Sequence, residues 1–218
     1  MNILVAAATE MEIKPFLQYI EEKKYQKRDC TIDRLITGVG LVHTTYSLTR
    51  YLSRHQPDLI IQAGIGGSFH PFYPPGAVVI IKEEIIADAG VEEGGEFRDL
   101  FDMQLIEDAL PYTGKVLTNP HYTWLDKVKL SKVTAVSVNE ITTRPERIQV
   151  LQEKYGAVIE SMEGAALHYV CLQENVPFLQ WRAVSNFAGE RDKSKWKMQE
   201  AIHHLNEQLT QFVHTLLC

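Results

Sequence analysis

Runs of apolar residues long enough to cross a bilayer are missing from this sequence, which excludes a helical membrane span. Cysteine is scarce: Cys30, Cys171 and Cys218 are odd in number and far apart. They form neither a disulfide framework nor a metal-binding spacing, so reduced thiols are expected. Positive charge is in deficit, with 22 Lys and Arg against 28 Asp and Glu and a formal net charge of −6. That balance argues against nucleic acid and anionic membrane as partners. The opening residues Met1-Asn2-Ile3-Leu4-Val5 lack a basic lead, and their apolar stretch soon meets Glu10, so a secretory signal is not expected and a cytoplasmic location is. The eight histidines form no ligand set. His203 and His204 are neighbours on an expected helix and point in different directions, which leaves no metal site.

What the sequence does hold is an alternation of two patterns. At 218 residues, 45% of them hydrophobic, it has enough apolar material for one domain spanning 1–218. Apolar runs at 2–8, 30–36, 59–63, 76–88, 133–138, 157–159 and 176–184 read as strands. Between them lie helical stripes. The first has Thr9 as N-cap with Glu12 three residues on, then Ile13, Phe16, Leu17 and Ile20 on one face. Others are expected over 41–54, over 143–155 with Thr143 as cap, after Glu163, and over 196–217. The segment 21–29 reads as a charged turn, Gly64–Gly67 as a glycine loop and 89–100 as a polar loop. Within 102–132 the pattern gives only a short helix near 103–110 and a strand near 115–117. Strands alternating with helices along one chain mean an α/β fold with a parallel or mixed sheet.

Two strand ends carry chemistry. One apolar run leads into Glu160-Ser161-Met162-Glu163-Gly164, and a later one stops at Ser185-Asn186. In open α/β sheets the carboxyl ends of strands are where ligands bind. Each residue also has a plain structural reading: Glu160 and Glu163 as acids at a helix start, Glu12 as a capping-box residue, Asn186 as a turn residue. Taken together and in this order, however, the segments resemble the nucleoside phosphorylase/nucleosidase superfamily.

The resemblance implies a single three-layer αβα sandwich, with a central mixed sheet flanked by helices. It implies a homo-oligomer that acts on a small-molecule purine nucleoside without cofactor or metal. At the matched positions it makes Glu12 the residue that orients a water and Glu163 the carboxylate that holds the ribose. Met162 would lie under the sugar, Gly67 beside it, and the backbone of Ile141 and Thr142 along the base. Glu160 matches a second acidic position. Asn186 would face the purine. Phosphorylases of this superfamily place an arginine shortly before the glycine segment. Here that stretch carries the neutral Gln62, so water is the expected nucleophile.

Asn186 bears on the base. Nucleosidases acting on 6-aminopurines carry Asp at this position. A 6-oxopurine presents O6, an acceptor, beside N7, and an amide can donate to O6 while its oxygen holds an N7 proton. One branch of the superfamily, the futalosine hydrolases, combines an acid at the position of Glu12 with Asn at that of Asn186. Its Ser-Asn-x-x-x-x-Arg-Asp pattern resembles Ser185–Asp192. That resemblance implies cleavage of futalosine to hypoxanthine and dehypoxanthine futalosine on a route to menaquinone. Arg191 is then the candidate for the benzoate at the far end of futalosine, with Phe187, Phe69, Phe72 and Tyr73 as flanking aromatics. The alternatives are a 5′-methylthioadenosine/S-adenosylhomocysteine nucleosidase, which Asn186 disfavours, a purine nucleoside phosphorylase, which Gln62 disfavours, and a non-catalytic nucleoside-binding protein.

Overall fold

The apolar runs become the strands of one curled sheet, and the amphipathic stripes become the helices that cover it. The computed structural model describes residues 1–23 and 30–217. Its elements in chain order are β1 (Asn2–Ala7), α1 (Glu10–Lys23), β2 (Thr31–Ile36), α2 (Leu41–Leu52), β3 (Leu59–Ser68) and β4 (Val78–Ile86). Then come β5 (Gly90–Glu93), β6 (Glu96–Asp99), β7 (Leu117–Thr118), α3 (Tyr122–Leu125), β8 (Lys132–Ser137) and α4 (Pro145–Tyr155). The chain ends with β9 (Ile159–Ser161), α5 (Gly164–Gln173), β10 (Phe178–Phe187), a 3-10 turn (Lys193–Lys195) and α6 (Met198–Leu217). None of the described helices is long and apolar enough to cross a membrane.

The main sheet is mixed and runs in the order β10-β4-β8-β9-β3-β1-β2. β10 also pairs with β3 in parallel, so β3, β10, β4, β8 and β9 close into a circuit. Val79, Ile81, Val133, Ala135, Ile159 and Val184 form one buried cluster from four strands of that circuit. Strands covered on both faces read as continuous apolar runs rather than as alternations, and β1 is buried at every position after Asn2. On one face α1 and α6 pack on β1, β3 and β10 through Ile13, Phe16, Leu205, Leu209 and Phe212. On the other, α2 and α5 pack through Leu48, Leu167, Val170 and Cys171 onto Leu4, Ile60 and Phe178. Cys171 is a buried core residue on that inner face. Each such fully buried Leu or Phe contributes about 1.5–3 kcal/mol.

Pro15 interrupts the backbone ladder of α1, because proline has no N–H to give. Asn206 of α6 bridges the next rung of the helix, between Glu12 and Phe16. Its Nδ2 donates to the Glu12 carbonyl at 2.8 Å and its Oδ1 accepts from the Phe16 N–H at 2.9 Å. The turn of helix that carries Glu12 is therefore tied to α6.

Several local expectations change. Gly64–Gly67 is not a loop but the second half of β3, because partners on both sides continue its ladder. Glycine is needed there: a Cβ on Gly66 would lie 2.8 Å from the Glu160 carbonyl oxygen of β9. The polar segment 89–100 is a hairpin, β5–β6, turned by Gly94 and Gly95 at φ of 63° and 84°. Positive φ at both central positions is what a tight hairpin turn demands. No helix forms over 103–110, where Lys154 of α4 instead ties the loop down through Asp99 and Asp102. Helix α4 starts at Pro145, with Arg144 rather than Thr143 at its N-cap. Cys218 and positions 24–29 of the charged turn lie outside the described residues.

Candidate active site

β1, β3 and β10 are parallel neighbours, so their carboxyl ends lie side by side. β9 runs against β3 but pairs with its last two residues, Gly67 and Ser68. A cavity of about 240 Å³ opens where these four strand ends meet. Glu12, Gly67, Ile141, Met162, Glu163, Asn186 and Arg191 all line it. A second cavity, of about 310 Å³, lies between the end of β4 and the 99–116 loop. Its one carboxylate, Asp99, is paired with Lys154, and its second cation, Lys115, with Asp102, which leaves that cavity no free carboxylate.

Glu12 both caps its helix and reaches the cavity. Its Oε2 accepts from the Thr9 N–H at 2.8 Å and from Thr9 Oγ1 at 3.0 Å, which caps α1. Its Oε1 accepts from the Ile65 N–H at 3.2 Å, at the cavity floor. Burial pushes its carboxyl above the ordinary value, against the pull of Arg182 and the two backbone donors.

Glu163 is the N-cap residue of α5 and is buried. Its Oε1 accepts from the Gly40 N–H at 3.2 Å, at the N-terminus of α2. Gly40 has φ of 92°, a conformation that glycine adopts without strain. The glycine turn before α2 thus cradles a carboxylate of the protein itself, with the helix dipole favouring the negative charge. Glu163 Oε2 lies 3.4 Å from Arg182 Nη2.

Arg182 is the residue that sequence reasoning missed. It sits inside β10, 1% exposed, and donates through Nη2 to Gln62 Oε1 at 2.8 Å. It faces Glu12 as well as Glu163, so one buried cation serves two cavity carboxylates from behind. A Cβ on Gly64 would collide with its guanidinium, which explains a glycine beneath the site. The available signal was a charged residue in the middle of the apolar run Phe178–Val184, because a buried charge needs a partner.

Glu160 also faces the cavity. Its Oε1 accepts from the Thr142 N–H at 3.1 Å, its Oε2 is buried without a hydrogen-bond partner, and burial raises its carboxyl above the ordinary value. Thr142 is buried outside the cavity wall, with its N–H already committed to Glu160. Of the expected backbone pair, only Ile141 reaches the cavity.

The order of donors and acceptors at Asn186 is fixed. Its Nδ2 donates to the Phe187 carbonyl at 2.8 Å, and a carbonyl can only accept. Its Oδ1 accepts from Ser185 Oγ at 2.7 Å. One N–H and one oxygen lone pair remain. A register shift in β10 between Val184 and Asn186 aims this amide at the cavity and sends Phe187 outward, 41% exposed and off the cavity wall. Phe69, Phe72 and Tyr73 do not line it either, whereas Trp196 does. Arg191 stands at the rim with its guanidinium 5.5 Å from the Trp196 ring centroid. It has no carboxylate partner among the described residues: Asp192 caps Ser194, and Glu190 pairs with Lys195. Met11, Val39 and Ile141 make an exposed apolar mouth. Among the described residues no group of three or more His, Cys, Asp and Glu is placed to hold a metal ion.

A mixed sheet between helical layers thus gathers Glu12, Glu160 and Glu163 around one cavity at its strand ends. The chain belongs to the phosphorylase superfamily, whose family model matches residues 2–217. It is 31% identical over 173 residues to a futalosine hydrolase of Thermus thermophilus, covering 78% of this chain and 76% of that one. It is 28% identical over 177 residues to a 5′-methylthioadenosine/S-adenosylhomocysteine nucleosidase of Bacillus subtilis, covering 78% and 75%. Its fold resembles that of the corresponding nucleosidase of Helicobacter pylori with a TM-score of 0.80, at 16% identity and coverage of 99% and 98%.

Proposed function

We propose that this chain hydrolyses the N-glycosidic bond of a 6-oxopurine nucleoside, with futalosine as the substrate and hypoxanthine as the released base. The observation that carries the reaction type is the charge around the cavity. Glu12, Glu160 and Glu163 face it, and the one cation among the described lining residues is Arg191 at the rim. Such a floor repels phosphate and suits a sugar that becomes positive. Arg182, the buried cation, is behind the carboxylates and already engaged.

In this reading Glu163 uses its remaining lone pairs to accept from the 2′- and 3′-hydroxyls. Its attraction for the ribose grows as positive charge builds at C1′. Glu12, held by three donors, keeps Oε1 for a water that attacks C1′ on the face opposite the base. The free N–H of Asn186 meets O6 and its oxygen holds a proton at N7, which arrives from water. Ser185 keeps the amide in that orientation. The two relatives bear the names of a futalosine hydrolase and of a 6-aminopurine nucleosidase, and Asn186 favours the first.

Product analysis tests the reaction type. The reading expects a free sugar product and a rate indifferent to phosphate. A sugar 1-phosphate, or a rate that vanishes without phosphate, contradicts it.

Arg191 is read as the partner of an anionic 5′ extension. A planar guanidinium donates two parallel hydrogen bonds to a carboxylate, and it is already set against Trp196. Hydrogen bonds to charged groups contribute about 1.5–3 kcal/mol. Arg191→Ala is therefore expected to raise KM for futalosine about tenfold or more while leaving KM for inosine near its original value. Steady-state assays of both substrates check this, and equal losses contradict it.

A further inference from the structure

On the far side of Glu163 from the cavity lies a buried polar cluster that the chemistry above does not use. Glu84 of β4 is completely buried. Its Oε1 accepts from Ser137 Oγ of β8 at 2.8 Å, and Ser137 Oγ accepts from the Ala165 N–H in the first turn of α5 at 2.9 Å. Its Oε2 has no hydrogen-bond partner, nor do the two polar atoms of the Gln180 amide or His168 Nε2, although Gln180 faces both the carboxyl and the imidazole. Buried polar atoms without partners are uncommon enough to call for an explanation. A Cβ on Gly164 would collide with Glu84 Oε2 and Gln180 Nε2, so α5 begins directly against this carboxyl. Gly164 and Ala165 are the two residues that follow Glu163.

We propose that Glu84 is a positioning residue for Glu163, holding the start of α5 through Ser137 and setting by its charge how much of Arg182 is left to Glu163. The proposal rests on the reading of Glu163 as the ribose carboxylate. Arg182 is the positive charge that Glu12, Glu84 and Glu163 all face. The groups around Glu84 are Arg182 and Gln180 from β10, Glu163 and His168 from α5, Ser137 from β8, and the apolar Leu117 from β7. His168 adds no charge near neutrality, because burial lowers its imidazole to about 4. Burial pushes the Glu84 carboxyl up to about 7, against the pull of Ser137 and Arg182. Below that pH, Glu84 is neutral and Arg182 belongs to Glu163 and Glu12. Above it, a third carboxylate competes for the same guanidinium and repels Glu163.

Glu84→Gln keeps the shape and removes the charge. In the native protein KM for futalosine is expected to rise above pH 7, by up to about tenfold per pH unit for a single proton. In the variant KM stays flat over the same range. An equal rise in both proteins overturns the proposal. Ser137→Ala cuts the tie to α5 while keeping the carboxyl, and it is expected to raise KM on both sides of pH 7. An unchanged KM in that variant also overturns the proposal.

Thermal unfolding of the native protein and Glu84→Gln needs no substrate. Folded Glu84 holds its proton up to about 7 whereas the unfolded group releases it near 4.5, so its stabilising effect is lost between those values. The variant's Tm should therefore gain on the native Tm across that interval. If neither protein cleaves any nucleoside, the functional reading fails, and the unfolding comparison still tests the charge change of Glu84 on which this proposal depends. A constant Tm difference across the interval overturns it.

Discussion

Glu12→Gln lowers turnover by about 10²–10⁴-fold, the usual contribution of a positioned general base, while KM changes little. The substitution keeps the size of the side chain and one oxygen to accept from Thr9, and the tie of this turn to Asn206 is untouched. What it removes is the negative charge at Oε1, which in the native protein is aimed by the Ile65 N–H and backed by Arg182. A neutral amide cannot take a proton from the attacking water. The pH dependence follows from the same group. Its carboxyl is held above the ordinary value mainly by burial, and only the ionised form acts as base. Native turnover therefore falls as pH drops through that raised value, and the variant loses this acid limb. Initial rates of base release across pH check both statements. Near-native turnover in Glu12→Gln removes Glu12 from the mechanism.

Asn186→Asp is expected to reverse the preference between bases, by about 10²-fold or more in relative kcat/KM. A site built around a hydrogen-bonding edge rejects the wrong edge strongly, because buried groups are left unpaired at about 1–3 kcal/mol each. Two atoms change partners here. The free N–H that meets O6 becomes an oxygen, which repels O6 and accepts from an N6 amine instead. The oxygen that faces N7 can carry the acid proton and deliver it. The Phe187 carbonyl, which accepts from Nδ2 in the native protein, loses that donor in the variant. Matched assays of a 6-oxopurine and a 6-aminopurine nucleoside check this. A native protein that already prefers the 6-aminopurine contradicts the assignment.

The parts of this site that sequence could reveal are those written in local patterns. Glu12 stands three residues after a capping threonine, Glu163 opens a helix after a short strand, and Asn186 ends an apolar run. Each pattern fixes a place at a strand end, and the strand ends share one side of the sheet. Arg182 was not legible in the same way. Its partners Gln62, Ile65 and Glu163 lie far from it in sequence, and only the β3–β10 pairing brings them near. The same pairing curls the sheet into a circuit, which no local pattern records. Gly64–Gly67 misled because glycine is a poor strand former. Its use here is close approach, under Arg182 at Gly64 and against β9 at Gly66. The hairpin at Gly94-Gly95 reads in sequence as a polar loop, although paired glycines are what a tight hairpin turn uses. The 99–116 loop was not legible, since Lys154 of α4 shapes it from outside. Thr142 and Phe187 show the limit of residue-by-residue transfer. One backbone N–H is taken by Glu160, and one ring is turned away by a register shift one residue earlier.

The central claim is that a water-using carboxylate and a 6-oxopurine-reading amide share one cavity. The most direct measurement is kcat/KM of the native protein for futalosine and for 5′-methylthioadenosine, in phosphate-free buffer, with the released base identified. The account predicts hypoxanthine from futalosine at an efficiency about 10²-fold or more above that for adenine release, unchanged when phosphate is added. Faster release of adenine, or cleavage that appears only with phosphate, contradicts it.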